Sequence, residues 1–236
     1  MSDARCLRAM AIGASLALAL LLVAAAAQAA ESPKGPRPSQ IIERTADQIL
    51  AILSDPERTR EQRLAEIGEI ASARFDFRTM TRLVLGRNWK KLTPEQQGEF
   101  VQHFAGFLAA DYGSRIDRYE QQRVTVLGER QEPRGDVTVR TKVTGGEFDG
   151  ALIEYRMRYR NEDWRIIDVV IEGISLVANF RDQFREVLSR EGPDFLLEKL
   201  REKSAAGAQA GTSGAPGEPG NPWKSLAPAA NRAAPE

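Results

Sequence analysis

Between residues 122 and 172 the large apolar side chains recur at every second position, whereas before and after that stretch they recur every three or four. A period of two places alternate residues on opposite faces of a strand, and a period near 3.6 builds one stripe along a helix. The alternation predicts strands over 122–128, 136–143, 152–160 and 164–172. Val137, Val139, Thr141 and Val143 share one face, as do Ile153, Tyr155, Met157 and Tyr159, and then Ile167, Val169 and Ile171. The connections Glu132-Pro133-Arg134-Gly135, Thr144 to Gly150 and Asn161-Glu162-Asp163 are short and rich in turn formers. Short turns join antiparallel neighbours, so the four strands form a meander.

Helical segments flank it. Ser39 is the expected N-cap of a helix with the stripe Ile42, Ala46, Ile49 and Leu53, stopped by Asp55-Pro56. A second helix, 57–72, carries Leu64, Ile67 and Ile70, and a third, Phe77–Leu85, presents Met80, Leu83 and Val84 before Gly86. Thr93-Pro94-Glu95-Gln96 combines a capping threonine, a proline at the first helical position and a glutamine at the third, which is a capping box. The stripe behind it is Phe100, Phe104, Phe107, Leu108, Tyr112 and Ile116. After the strands, Gly173 breaks the chain and Ser175 caps a helix to Ser189, with the stripe Leu176, Phe180, Phe184, Val187 and Leu188; Pro193–Lys203 forms the last helix. The expected fold is α+β: an antiparallel four-stranded sheet with helices packed on one face, a nuclear-transport-factor-like cup.

Matching the apolar faces fixes the expected register, because a slip of one residue would invert every side chain. It sets Tyr155 opposite Val169 and Met157 opposite Ile167. On the other face Asp168 balances Arg156 and Arg140. That face, with Arg140, Lys142, Arg156, Arg158 and Arg160 diluted by Glu154 and Asp168, reads as a solvated sheet surface; the sharper alternative is a docking surface for a phosphate headgroup or a partner protein.

The first 29 residues have the pattern of a cleaved secretory leader: Arg5 and Arg8, then an Ala/Leu-rich run from Ala9 to Ala27, then Ala27-Gln28-Ala29. An uncleaved anchor is the alternative. Cys6, the sole cysteine, lies inside the leader, so an exported domain over 30–204 has to be stabilised by its core rather than by disulfides. Residues 205–236 are rich in Gly, Pro, Ala and Ser and read as a disordered tail, in which Trp223 is either inert or a short motif. With 33 basic and 33 acidic residues, the chain lacks the positive excess that nucleic-acid binding requires.

Catalytic patterns are thin. His103, the only histidine, falls beside the aromatic stripe and reads as a surface residue with no thiol to activate and no metal partner. Gly173-Ile174-Ser175-Leu176-Val177 lacks the second glycine of a nucleophile elbow. Gly145-Gly146 precedes no helix and cannot cradle phosphate. No catalytic residue, metal, cofactor or nucleotide is expected.

Two blocks resemble a known family. LVLGRNWKKLTPEQQGEF (83–100), preceded by Phe75-Asp76-Phe77 and Met80, is similar to the first signature of the Mla-type periplasmic phospholipid-binding proteins, also called the toluene-tolerance auxiliary family. Trp164, Asp168-Val169, Glu172-Gly173, Ser175-Leu176-Val177 and Asn179-Phe180-Arg181 resemble the second, and the match runs in order over about 40–203. The resemblance implies a soluble shuttle in the Gram-negative periplasm, and a monomer is expected. Its phospholipid passes between an outer-membrane lipoprotein complex and an inner-membrane ABC transporter complex, maintaining outer-membrane lipid asymmetry. Phe180 and Ile167 stand where the family commonly has tyrosine, which implies a more apolar pocket and leaves room for a hopanoid or other isoprenoid lipid.

Burial energetics agree with an enclosing carrier. Two 16-carbon tails carry about 30 methylenes, each worth ~0.8 kcal/mol on leaving water, a gross ~25 kcal/mol. The expected pocket walls are Val139, Thr141, Val143, Ile153, Tyr155, Met157, Ile167, Val169 and Ile171 of the sheet. The helices contribute Met80, Leu83, Val84, Phe104, Phe107, Leu108, Ile174 and Val177. The rivals are an enzyme on a similar cupped fold, which needs Asp168 or His103 pointing inward, and an adaptor with a closed core and an exposed apolar patch.

Overall fold

A computed structural model of the chain describes residues 35–113, 121–146 and 148–210. The expected leader with Cys6, the Tyr112 side chain, Ile116 and Trp223 lie outside the described residues. Helices α1 (Pro38–Ser54), α2 (Arg60–Arg74) and α3 (Phe77–Leu85) lead through a 3₁₀ turn (Gly86–Lys91) into α4 (Pro94–Gly113). Strands β1 (Arg123–Gln131), β2 (Val137–Thr144), β3 (Leu152–Arg160), β4 (Asp163–Ile171) and β5 (Ile174–Ser175) follow, then α5 (Leu176–Arg190) and α6 (Pro193–Ala210). The sheet is an antiparallel meander in the order β1-β2-β3-β4-β5. The α+β architecture matches the sequence expectation; the fifth strand is a two-residue addition at the turn into α5.

Local chemistry explains most boundaries. At α4 the box closes in both directions: the Gln96 amide donates to Thr93 Oγ1 (3.2 Å) and the Thr93 amide to Gln96 Oε1 (3.1 Å). A second box, Thr59 with Gln62, starts α2 three residues later than expected. Helix α1 begins at Pro38, so Ser39 is not its cap; the Ser39 amide instead donates to Glu129 Oε1 of β1 (2.6 Å), setting an acid against the positive helix end. Gly86, at φ 56°, ends α3 in a conformation that side chains with a Cβ rarely adopt. Helix α6 runs to Ala210, past the expected boundary at Lys203.

The apolar interior is divided. One cluster is helical: Met80, Val84, Phe100, Phe104, Phe107, Phe180, Phe184 and Leu200 are among its buried members. Its rings meet edge to face, Phe180 lying 5.1 Å from Phe104 and 5.9 Å from Phe107. The other cluster joins Ile41 and Ile42 of α1 to Val137, Val139, Met157, Trp164, Ile166 and Val169 of the sheet. Phe75 and Leu176 pack, half-buried, against both.

Candidate functional site

The register builds the inner face of the sheet in three rows. Val137, Met157 and Ile166 form the first, Val139, Tyr155 and Val169 the second, and Thr141, Ile153, Ile171 and Ile174 the third. Tyr155 stands opposite Val169 as expected. Met157 stands opposite Ile166 rather than Ile167, because a bulge on β4 inserts one residue. Ile167 is therefore the unpaired residue, buried but a member of neither cluster.

Cover declines from row to row. All of the first row is buried, and its end is stitched to the helices by the Asp76 amide donating to the Ile166 carbonyl (2.9 Å). In the second row Tyr155 keeps accessible surface, and in the third so do Ile153 and Ile171, with Ile174 at 62 %. Leu152, next in β3 and paired with Lys142 on the outer face, accepts at its carbonyl from the Glu172 amide at the same sheet end (3.0 Å). The inner face is thus sealed at the Trp164 end and open at the Ile174 end, with the apolar side chain of Ile174 at the mouth.

Tyr155 marks the depth of the opening. Burial, the only influence acting on it, pushes its phenol up to about 12. Yet its side chain is partly accessible, and among the described residues its hydroxyl has no hydrogen-bond partner. Nor is that oxygen sealed in, since the enclosed partnerless side-chain atoms among the described residues are Arg63 Nε and Gln183 Oε1. An unpaired, partly accessible group on this face makes the inner sheet face around Tyr155 the candidate binding cleft.

The expected pocket residues do not form one wall. Met80, Val84, Phe104, Phe107, Leu108 and Val177 lie in the closed helical cluster, with Leu83 packed on it. The reason is α4: it packs chiefly against α6, so its aromatic stripe is satisfied by α5 and α6 rather than by the sheet. Val139, Met157 and Val169 belong to the sheet cluster, with Ile153, Tyr155 and Ile171 partly covered beside it. Thr141 and Val143 are buried outside both clusters, and Ile174 is at the mouth rather than inside. Phe180 and Ile167 leave almost no accessible surface, so the two departures from the family pattern do not line the opening.

On the outer face, Asp168 does not balance the arginines. Its carboxylate accepts from Ser175 Oγ (2.6 Å) and from the Val177 amide (3.0 Å), anchoring the start of α5. The arginines turn instead to Asp136, whose side chain is fully buried: Arg156 Nη2 donates at 2.9 Å and Arg158 Nε at 2.6 Å. Burial alone would raise the Asp136 carboxyl; the hydrogen bond and charge of Arg158 and the charge of Arg156 bring it below the usual carboxylate range. Arg140 pairs with Glu154 (3.0 Å), so this is an ion-paired surface. Sequence reasoning missed Asp136, although the observed pairing of Val137 with Met157 places it across from Arg158.

An unexpected basic groove of about 620 Å³ lies between the end of α3, the 3₁₀ turn and α5, lined by Arg82, Arg87, Lys91, Arg181 and Arg185. Arg181 Nε donates to the Leu83 carbonyl (2.8 Å), fastening α5 to α3. His103 is half-buried rather than solvated, its Nδ1 3.2 Å from Ser204 Oγ of α6. Desolvation and Arg201 hold its pKa below the ordinary imidazole value against the pull of Glu99. Neither His103 nor Asp168 points into the cleft. Among the described residues no cluster of acids, histidines or cysteines could hold a metal, and no helix is long and apolar enough to cross a membrane.

A sequence profile described as MlaC protein matches residues 43–202. The toluene tolerance protein ttg2D of Pseudomonas putida is 30 % identical over 105 residues, 44 % of this chain and 49 % of that protein. The intermembrane phospholipid transport system binding protein MlaC of Haemophilus influenzae is 21 % identical over 128 residues, 52 % of this chain and 59 % of that protein. The chain therefore spans 49 % and 59 % of the length of these relatives. Among solved structures, the phospholipid-binding protein from Ralstonia solanacearum in complex with a phospholipid superposes with a TM-score of 0.65 at 27 % identity, covering 73 % of this chain and 99 % of that one.

Proposed function

The chain belongs to the MlaC protein family, and from that premise we propose that it is a lipid carrier, not an enzyme, holding phospholipid acyl chains in the cleft over the inner sheet face. The observation that carries the reading is Tyr155, partly accessible and without a hydrogen-bond partner among the described residues, in a row whose cover has begun to open. A filled core would leave no accessible surface there; a catalytic cup would place a charged or nucleophilic group beside it. The inner rows supply Ile153, Ile171 and Val169 instead. The phospholipid held by the Ralstonia protein supports the same cargo here. Phe180 and Ile167, on which the hopanoid alternative rests, are both buried, so phospholipid is the cargo proposed here.

The headgroup stays at the mouth, beside Ile174. The carrier works as a monomer in the periplasm after removal of residues 1–29, between an inner-membrane ABC transporter complex and an outer-membrane lipoprotein complex, maintaining lipid asymmetry. Lipid extraction and native mass spectrometry of protein purified from cells test the reading. A stoichiometric mass increment of one phospholipid is expected; reproducibly lipid-free protein that also fails to take up phospholipid from vesicles refutes it.

A further inference from the structure

We propose that the Tyr155 hydroxyl donates a hydrogen bond to an ester carbonyl of the bound lipid, so that the cleft selects ester-linked glycerolipids over ether-linked or purely hydrocarbon lipids of the same length. The inference rests on the carrier reading and names its substrate class. A hydroxyl taken out of water without a partner costs about 1–3 kcal/mol, and among the described residues Tyr155 has none. Methylenes offer no acceptor. The ester carbonyls are the acceptors nearest the tails of a glycerolipid, so they are what an apolar cleft can present to a lone phenol.

Other polar groups on the inner face are committed. Thr141 Oγ1 donates to the Ile153 carbonyl (2.9 Å). Tyr159 lies toward the sealed end, with its ring 5.4 Å from that of Trp164, and it has interactions of its own. Tyr155 stands one row inside Ile153 and Ile171, roughly 7 Å deeper along the strand at the usual rise of ~3.3 Å per residue. That is the depth of a glycerol backbone whose headgroup remains at the Ile174 mouth and whose tails run on along the junction of the two apolar clusters at Phe75 and Leu176.

The test loads purified protein from an equimolar mixture of diacyl and dialkyl-ether phosphatidylethanolamine with matched chains, read by native mass spectrometry. Wild type should take the diacyl lipid in about five- to tenfold preference, the value of one net hydrogen bond. Tyr155→Phe should retain lipid at a ratio near one. Equal uptake by wild type, or a preference that survives in Tyr155→Phe, overturns the proposal. Failure of wild type to bind either lipid overturns the carrier reading itself. A second measurement needs no variant: the infrared band of a ¹³C-labelled ester carbonyl should shift to lower frequency in wild-type protein relative to the same lipid in hexane. An unshifted band refutes the bond.

Discussion

Replacing Asp136 by Asn should destabilise the domain by roughly 3 kcal/mol. The carboxylate receives two guanidinium groups, Arg156 Nη2 at 2.9 Å and Arg158 Nε at 2.6 Å. Removing one partner of a buried pair costs about 3–5 kcal/mol. Here the arginine side chains are 41 % and 21 % exposed and regain some water, which places the loss at the low end. Asparagine keeps the shape but turns an amide donor toward guanidinium donors, so part of the cost is a mismatch as well as a lost charge. At about 2–4 °C per kcal/mol for a domain of this size, the midpoint should fall by roughly 6–12 °C in thermal denaturation followed by circular dichroism. The sign in acid follows from the lowered carboxyl. Its contribution is present above the unfolded value near 3.9 and is lost as pH falls through the folded value. The gap between wild type and Asp136→Asn should therefore narrow below about pH 4. Lipid content should not change, because the triad is on the outer face. A midpoint within about 2 °C of wild type at pH 7 would refute the reasoning.

Three other outcomes follow from the placements described. Ile153→Glu, in the open row, should fold and lose most co-purifying lipid, whereas Val169→Glu, inside the sheet cluster, should cost several kcal/mol through a buried unpaired charge; comparing lipid content with melting midpoint separates them, and an Ile153→Glu protein with full lipid occupancy would show that the cleft is elsewhere. Phe180→Ala removes a ring shared by three edge-to-face contacts and should cost about 3–5 kcal/mol, measured by urea unfolding, with lipid specificity unchanged. Thr93→Ala breaks the capping box of α4 and should cost about 1 kcal/mol, visible as a shift in urea midpoint at constant slope.

What was legible in the sequence was whatever depends on near neighbours. The capping box at Thr93, the span of α3 and the meander of strands rest on spacing within a few residues, and the structure reproduces them. The row containing Tyr155 and Val169 was also legible, since alternation carries register across a hairpin. Alternation cannot announce an inserted residue: Ile166 and Ile167 are both apolar, so the pattern reads equally well with either facing inward. That ambiguity misplaced Ile167. The error over Asp168 has another origin, because its partners, Ser175 and the Val177 amide, depend on how α5 folds back onto β4. Likewise the stripe of α4 looked like a pocket wall because periodicity tells which side of a helix is apolar, not which element covers it.

If the proposed carrier function holds, the division of the interior bears on the half of the cycle spent empty. Phe104, Phe180 and Phe184 are satisfied by one another, and Val139, Met157 and Ile166 by α1 and the sheet. Cargo therefore completes neither group. On the proposed function, what it would cover is the band at their junction, where Phe75 and Leu176 touch both. Departure of a lipid uncovers that band without dissolving either half, so loading and unfolding are separate transitions. On the proposed function, extraction of the lipid would then work against its affinity for the band alone, leaving the cooperativity of the domain untouched.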